Sequence, residues 1–590
     1  MRTSTIRNRP RGWVLHLVLI AAAGAFGNAQ AMLTVGPLSD GACQYHDIAA
    51  AVQAAGQVAG PELIAVSGVT WNGQTTITDH DSDGLTIEGG FANCSAGVSS
   101  GRTTLDGGGL LPGGPLIVHS GNGSLTLLHL ILQNAKGSAV EAIVAGPLTL
   151  SDVLVYSNHA SYGAGLFTSG NDIFRQKVTL IGTSINSNTA TVNGGGIYAS
   201  TTDFSISGGS NIVGNIAQGP GGISDGGGIY TIDSNIQVKD HTTATNAFIG
   251  SNYAQRNGGG VYFSTTHAGS YELLLWNDKA SQPLIVSENT AQSQGGAFYL
   301  SSISSNQQIY SFAGFENVII QQNTAYEGAA FYSFSSGGTA SVETDIQLGQ
   351  TQVGSFIPAC SPGIECNSIN DNNSIGGAVV ESNAAGSSGS SAFLLYQGRM
   401  RGNRGGALIA GNAYMKIEGS LLAKNEISNG GDLIDNLGND LHIANSTIAY
   451  NTLAGSELFT VIIPPASLEI LHSLLVQPND PVAAYSVGAG VAVTVRDIGA
   501  NNVSGLDTGI NVQNLTDPFV DAANGDFHIR TTSSAVNRWA WNNDPNEPPP
   551  TIDLDGALRP YSLYPVSTPY DFGAYEAGSV VDKIFANGFD

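Results

Sequence analysis

Three carboxylates stand at alternate positions in Asp79-His-Asp81-Ser-Asp83-Gly84. Acids spaced this way before a glycine can wrap one calcium ion, as in the first half of an EF-hand loop. The twelfth position of such a loop is Gly90 here, where the bidentate glutamate belongs. The expectation is a structural calcium ion on Asp79, Asp81 and Asp83, against the alternative of a polar turn between strands; no motif requires a cofactor. Arg399, Arg401 and Arg404 form the one concentrated basic patch. Arg399 and Arg401 share a strand face and could grip an acidic glycan or serve a lyase; solvated arginines balancing nearby acids are the alternative. Gly-x-Ser-x-Gly occurs at 97–101 and 222–226, in turns with no helix to follow, so neither is a nucleophile elbow. The eleven histidines are dispersed, without metal-ligand spacing.

These residues hang on a repeat. Asn188-Thr-Ala and Gly194-Gly-Gly-Ile-Tyr198 return as Asn215/Gly226–Tyr230, Asn252/Gly258–Tyr262, Asn289/Gly295–Tyr299 and Asn323/Gly328–Tyr332. A phrase recurring at near-regular spacing marks a solenoid, whose units bury their apolar faces only against their neighbours. Bare coils run Asn134–Asn158, Asn403–Asn425 and Asn425–Asn451, and the 32-residue spacing of Gly196, Gly228 and Gly260 is one coil plus a loop. Within one repeat, 196–200, 203–207 and 211–213 read as three short strands, so the fold class is all-β, a right-handed parallel β-helix. The asparagine should take a left-handed corner and stack into an internal amide ladder. Ile197, Ile229, Val261, Phe298 and Phe331 should stack inside. Alternation then sends Tyr198, Tyr230, Tyr262, Tyr299 and Tyr332 outward, as a platform for sugar rings or as a self-stacked column.

The ends read differently. Met1–Ala31 has the basic start, apolar centre and Ala-Gln-Ala site of a secretory signal, and no later stretch reaches the ~18 apolar residues of a membrane span. Residues 32–115 read as an N-terminal cap and first coils, with a short helix carrying Ile48, Ala51, Val52 and Ala55 on one face. Coils fill 116–515, with the irregular stretch Ser341–Ser391 carrying the longest loop; 516–580 is a closing module and 581–590 a tail. Cys360 and Cys366 bracket a turn and should close a small loop, leaving Cys43 to pair with Cys94; no CxxC pair supports zinc. The net charge of −25, more negative once the basic signal is gone, argues against nucleic acid or anionic lipid as partner.

The repeats resemble the Phe-x-x-Asn and Gly-Gly-Ala-Ile repeats of chlamydial polymorphic outer-membrane proteins and, more broadly, β-helices of the pectate-lyase-like superfamily. Asp517-Pro-Phe, Gly525-Asp-Phe-His, Asp553-Leu-Asp-Gly with Arg559-Pro, and Asp571-Phe-Gly-Ala-Tyr-Glu576 look like the C-terminal module of secreted proteins called choice-of-anchor Q, and Glu88-Gly-Gly-Phe-x-x-Cys94 is similar to their start. The chlamydial proteins end in a membrane barrel, and none is expected after the closing module here. Hydrolases and lyases of this fold imply paired carboxylates, or calcium-binding acids with a basic residue. The strings Asn-Thr-Asp, Asp-Asp, Gly-His-Gly and Arg-Ile-Lys are absent. The expectation is a secreted or cell-surface adhesive β-helix contacting glycan or a surface protein. The alternative is a polysaccharide lyase or glycosidase, recognised by carboxylates of successive coils converging with Arg or Lys in one cleft.

Overall fold

The computed structural model describes residues 31–577, except 69, 74–75, 109–112, 241–247, 278–281, 350–365, 456, 480, 541–551, 557–558 and 560–569. Residues 1–30 of the expected signal, Cys360, the proline-rich run and the tail therefore lie outside the described residues.

One coil shows how the chain is wound. Ile197–Ser200 lies in a 15-stranded sheet, here the tyrosine sheet; Thr201 (φ 49°) turns the chain, and Thr202–Ser207 enters the long limb of a 31-stranded broad sheet. After a glycine corner, Asn211–Val213 forms the broad sheet's short limb, and Gly214 (φ 64°) turns it again. A fourth, two-residue strand, Ile216–Ala217, was not expected; it joins a 9-stranded short sheet. Every one of these strands pairs in parallel with its counterpart one coil on: Ile197 with Ile229, Phe204 with Ile236, Ile212 with Ile249, Ala217 with Ala254. The molecule is a right-handed parallel β-helix, and Ile197, Ile229, Val261, Phe298 and Phe331 are buried inside it. Phe298 and Phe331 stack at 5.2 Å with Phe315 edge-on to both.

The asparagines form the expected ladder, but not by the expected backbone. The left-handed residue is the one before each of them: Ser187 (φ 52°), Ser251 (53°), Glu288 (58°), Gln322 (55°), Asp371 (53°), Lys424 (55°). That residue makes the corner, which leaves the following asparagine free to point inward. From Asn158 through Asn188, Asn215, Asn252, Asn289, Asn323, Asn372, Asn403 and Asn425 to Asn451, each Nδ2 donates to the next Oδ1 at 2.9–3.1 Å. The same oxygens accept the backbone N–H of the preceding asparagine, as Asn323 Oδ1 does from Asn289. Each Nδ2 also reaches a carbonyl of the previous coil, as Asn289 does at Ile249. Asn134 is not a rung: it is the left-handed corner itself (φ 58°), and Ala135 takes the rung position, its N–H donating to Asn158 Oδ1.

The glycine runs fit this ladder. The first glycine of each has positive φ, 69° at Gly194 and Gly258, and a Cβ on the third would sit 3.0 Å from the next asparagine's amide carbon, as at Gly196 against Asn215. The N-terminal helix, Ile48–Ala55, is capped by Asp47 and buries the four residues read from its periodicity. Cys43 and Cys94 are disulfide-bonded, and Cys366 is also in a disulfide.

The described part of the closing segment packs beside the coils. Leu515, Phe519, Phe527, Trp539, Phe572 and Tyr575 pack sideways on the outer face of the short limb, against Leu421, Ala423, Ala449, Leu474 and Val476. Strands there are buried on both faces, whereas the earlier Ser184–Asn186 and Asn211–Val213 bury only the middle residue.

Replacing Asn289 by Ala removes the acceptor of the Asn252 N–H and of one Asn252 Nδ2–H, and the side-chain donor to the Ile249 carbonyl and to Asn323 Oδ1, which keeps only the backbone N–H of residue 289. The expected loss is about 3–5 kcal/mol of unfolding free energy in that region, read from denaturant titration.

Candidate functional site

The long limb lengthens in the middle of the molecule: Gly269–Asn277, Ile309–Glu316, Val342–Leu348 and Gly389–Tyr396. The tyrosine-sheet strands that feed it lengthen too, at Phe298–Ser304, Phe331–Gly337 and Ala378–Gly386. Their extra residues face one another as a two-layered lip beyond the apolar core. Hydroxyls fill it: Thr265 with Ser302 and Ser311 (2.9 Å each), Thr344 with Ser302 (2.8 Å), and Ser382 with Ser333 and Ser391 (2.8 Å each). Ser341–Ser391, expected to be irregular and to carry the longest loop, holds the long strands Val342–Leu348 and Ala378–Gly386, and its residues 350–365 lie outside the described residues; the alternation Val-Glu-Thr-Asp-Ile-Gln-Leu at 342–348 carried the signal for the first strand.

Alternation puts one set of these side chains on the outer face of the long limb. Tyr310 is in register with Glu343, and Phe312 with Asp345. Asp345 continues through Ala392 to Tyr414; Gln347 continues through Leu394, Lys416 and His442 to Glu469. At one coil per ~4.8 Å, the band from Tyr310 to Glu469 runs about 24 Å, room for several sugar residues. Burial, then the Glu343 carboxylate, pushes Asp345 up to about 7, opposed by a hydrogen bond from Tyr310; burial also raises Glu343. Lys416 Nζ pairs with Glu418 at 2.8 Å and lies 5.4 Å from the centre of the Tyr396 ring. His442 Nδ1 meets Glu469 Oε2 at 2.8 Å, and that bond holds the Glu469 carboxyl below its ordinary range, with Arg496 and Lys416 assisting. Burial raises the Tyr396 and Tyr414 phenols. The result is a strip of half-buried rings interleaved with acids and a few bases. None of these residues was singled out by sequence, because they repeat in rows across coils and not along the chain.

The residues that were singled out lie elsewhere. Tyr198, Tyr230, Tyr262, Tyr299 and Tyr332 stack face to face, with centroids 4.7–5.4 Å apart, and Phe167 extends the column at 5.0 Å from Tyr198. The faces a sugar ring would lie on are already occupied, and only ring edges point outward. Burial raises their phenols, that of Tyr332 to about 12. The self-stacked alternative is what the geometry carries.

The arginines do not form one patch. Arg399 is 6% exposed; its Nη2 bonds Asp555 at 2.8 Å and the Leu554 carbonyl at 3.4 Å, fastening the C-terminal segment to the coil. Arg401, on the same face, sits against that segment too, 2.7 Å from where a Cβ on Gly525 would stand. Arg404 is exposed and pairs with exposed Glu426 at 2.9 Å. Asp79 is buried and bonded to His119 Nδ1 at 2.7 Å and to the Asp81 N–H at 2.8 Å; Asp81 Oδ1 accepts from the Asp83 N–H, and Asp83 Oδ2 from Gly60. Among the described residues these three carboxylates do not close on a common point. Ser99 of the first Gly-x-Ser-x-Gly donates to the Gly89 carbonyl at 2.7 Å.

No protein-family model and no curated protein matches this chain. Among solved structures it is similar to Escherichia coli YbhC, at 12% identity over 50% of this chain and 74% of that one, with a TM-score of 0.26. A likeness at that score carries no argument, and the fold rests on the strand register.

Asp345 has a testable signature. Its folded pKa of about 7 lies above the ordinary 3.8, so between those values the folded state binds more protons. Its contribution is fully favourable below about 4 and is lost as pH rises to about 7. Melting temperature plotted against pH should therefore fall more for wild type than for Asp345→Asn across that window; parallel curves would refute the shift.

Proposed function

We propose that this chain is an exported, surface-acting β-helix protein that contacts an extracellular glycan along the long-limb face. The observation that supports this reading is the strip from Tyr310 to Glu469, where the rings of Tyr310, Phe312 and Tyr414 and the acids Glu343, Asp345 and Glu469 lie in register rows of one face. Rings supply apolar area with a polar edge, and ionised carboxylates accept hydrogen bonds from sugar hydroxyls. The acidic balance of the face and of the whole chain favours neutral sugars over polyuronates. The N-terminal signal and the likeness of the C-terminal segment to choice-of-anchor Q modules support secretion in the same proposal.

One observation favours a second reading, cleavage of the glycan. A carboxyl with a pKa near 7 beside another carboxylate can give or take a proton at neutral pH, as Asp345 beside Glu343 would. Against it, the register neighbours of Asp345 are Phe312 and Ala392, and the nearest base in the rows, Lys416, stands two coils on. Among the described residues the register rows give Asp345 no basic partner on an adjacent coil, so contact is preferred to catalysis.

Binding of the mature protein to an array of neutral and acidic glycans tests both. Tyr414→Ala should weaken retention of a neutral glycan about tenfold or more, roughly 1.4 kcal/mol, while Tyr262→Ala, within the self-stacked column, leaves it unchanged. Release of reducing ends that Asp345→Asn abolishes without loss of binding would move the assignment to the enzyme.

A further inference from the structure

The first coil contains a carboxylate that nothing neutralises. Glu62 opens the strand Glu62–Ser67 and alternates with Ile64 and Val66, which puts it on the inward face. It is 1% exposed, and neither of its Oε atoms receives a hydrogen bond. Asp81, 7% exposed, comes within hydrogen-bonding reach of it, and Asp81 Oδ2 also lacks a donor. Two carboxylates brought together have no hydrogen between them when ionised, and an unpaired buried charge costs several kcal/mol. Burial, then Asp81, pushes Glu62 up to about 7, so a shared proton holds the pair at lower pH, and above that a cation between the oxygens would take its place.

The surrounding bonds say which groups are free to receive it. Asp79 is spent, with one oxygen on the Asp81 N–H and the other on His119, whose second ring nitrogen faces the Gly146 carbonyl at 3.0 Å. Asp81 uses only Oδ1, for the Asp83 N–H. Asp83 uses Oδ2 for Gly60 and keeps Oδ1 beside the Ser82 hydroxyl at 3.4 Å. The donors left over are all oxygen, with no imidazole or thiolate among them.

We propose that Glu62 and Asp81 hold a calcium ion, Glu62 through both oxygens, with backbone carbonyls and water completing the shell. Oxygen-only donors and a carboxylate with both oxygens open suit calcium over transition metals, which favour nitrogen or sulfur, and over magnesium, which keeps an octahedron of single oxygens. The loop at Asp79–Gly84 lacks a glutamate at its own twelfth position. The fold brings one from the strand Glu62–Ser67, where Glu62 is in register with Leu85 just after the loop. The ion ties strand Glu62–Ser67 to that loop at the start of the solenoid, where the core would otherwise end on two repelling charges.

Calorimetric titration of CaCl2, and separately MgCl2, into EDTA-stripped mature protein at pH 8 tests this. One calcium per chain should bind, magnesium at least tenfold more weakly, and saturating calcium should raise the melting temperature by several degrees. Glu62→Gln and Asp81→Asn should each weaken calcium at least tenfold while circular dichroism stays that of wild type; Asp79→Asn should retain binding. Terbium titration of the wild type, displaced by calcium, gives a second readout should a variant fold poorly. Wild-type protein showing neither heat nor a melting shift with calcium, or folded Glu62→Gln binding as wild type does, would overturn the proposal.

Discussion

The structure depends on one constraint: side-chain amides sealed inside a tube must find all their partners in the coils above and below. Water cannot enter to satisfy a rung that slips, so a one-residue error would orphan several donors and acceptors at once. The ladder from Asn158 to Asn451 meets this by giving every rung a neighbour's amide and a carbonyl of the previous coil. At its end Gln477 Oε1 accepts the Asn451 N–H at 2.9 Å, while Gln477 Nε2 is buried without a hydrogen-bond partner. This fixes the vertical register of the whole solenoid, and with it the rows on every outer face.

Fixed rows explain why two aromatic faces of one molecule behave differently. On the tyrosine sheet, the same residue type recurs at the same height in five coils, so the rings satisfy one another and the face is internally complete. On the long limb the rows change chemistry from coil to coil, as in Gln347, Leu394, Lys416, His442 and Glu469. A heterogeneous row cannot be satisfied by stacking alone. Its polar groups pair locally, and its rings lie among acids and bases instead of against one another. The short limb offers a third outcome: in the last coils its outer face is apolar and the C-terminal segment covers it, with Arg399, Tyr450 and His472 bonding or stacking across the seam.

The repeat was legible because its determinants are local. Asn188-Thr-Ala and Gly194-Gly-Gly-Ile-Tyr198 name the rung, the close approach and the inward and outward residues in one phrase. The capping helix was legible from spacing, and the Cys43–Cys94 pairing from cysteine arithmetic. The corner was misplaced by one residue, because Ser, Glu, Gln and Lys before the asparagine are not typical left-handed residues and take that backbone only under the ladder's constraint. The sideways docking of the C-terminal segment left a trace that was not used: Leu421-Leu422-Ala423 and Leu474-Leu475-Val476 lack alternation, the mark of a strand covered on both faces. The long-limb strip and the Glu62–Asp81 approach were not legible, since each assembles residues from different coils whose register only the folded tube defines.

The assignment of the contact surface is tested most directly by crystals of the mature protein soaked with neutral oligosaccharides such as cello-, xylo- and manno-series chains. The account predicts sugar density along the long limb, over Tyr310, Phe312, Asp345 and Tyr414. Density on the edges of the tyrosine column instead, or an empty long limb with every series at saturating concentration, would contradict it.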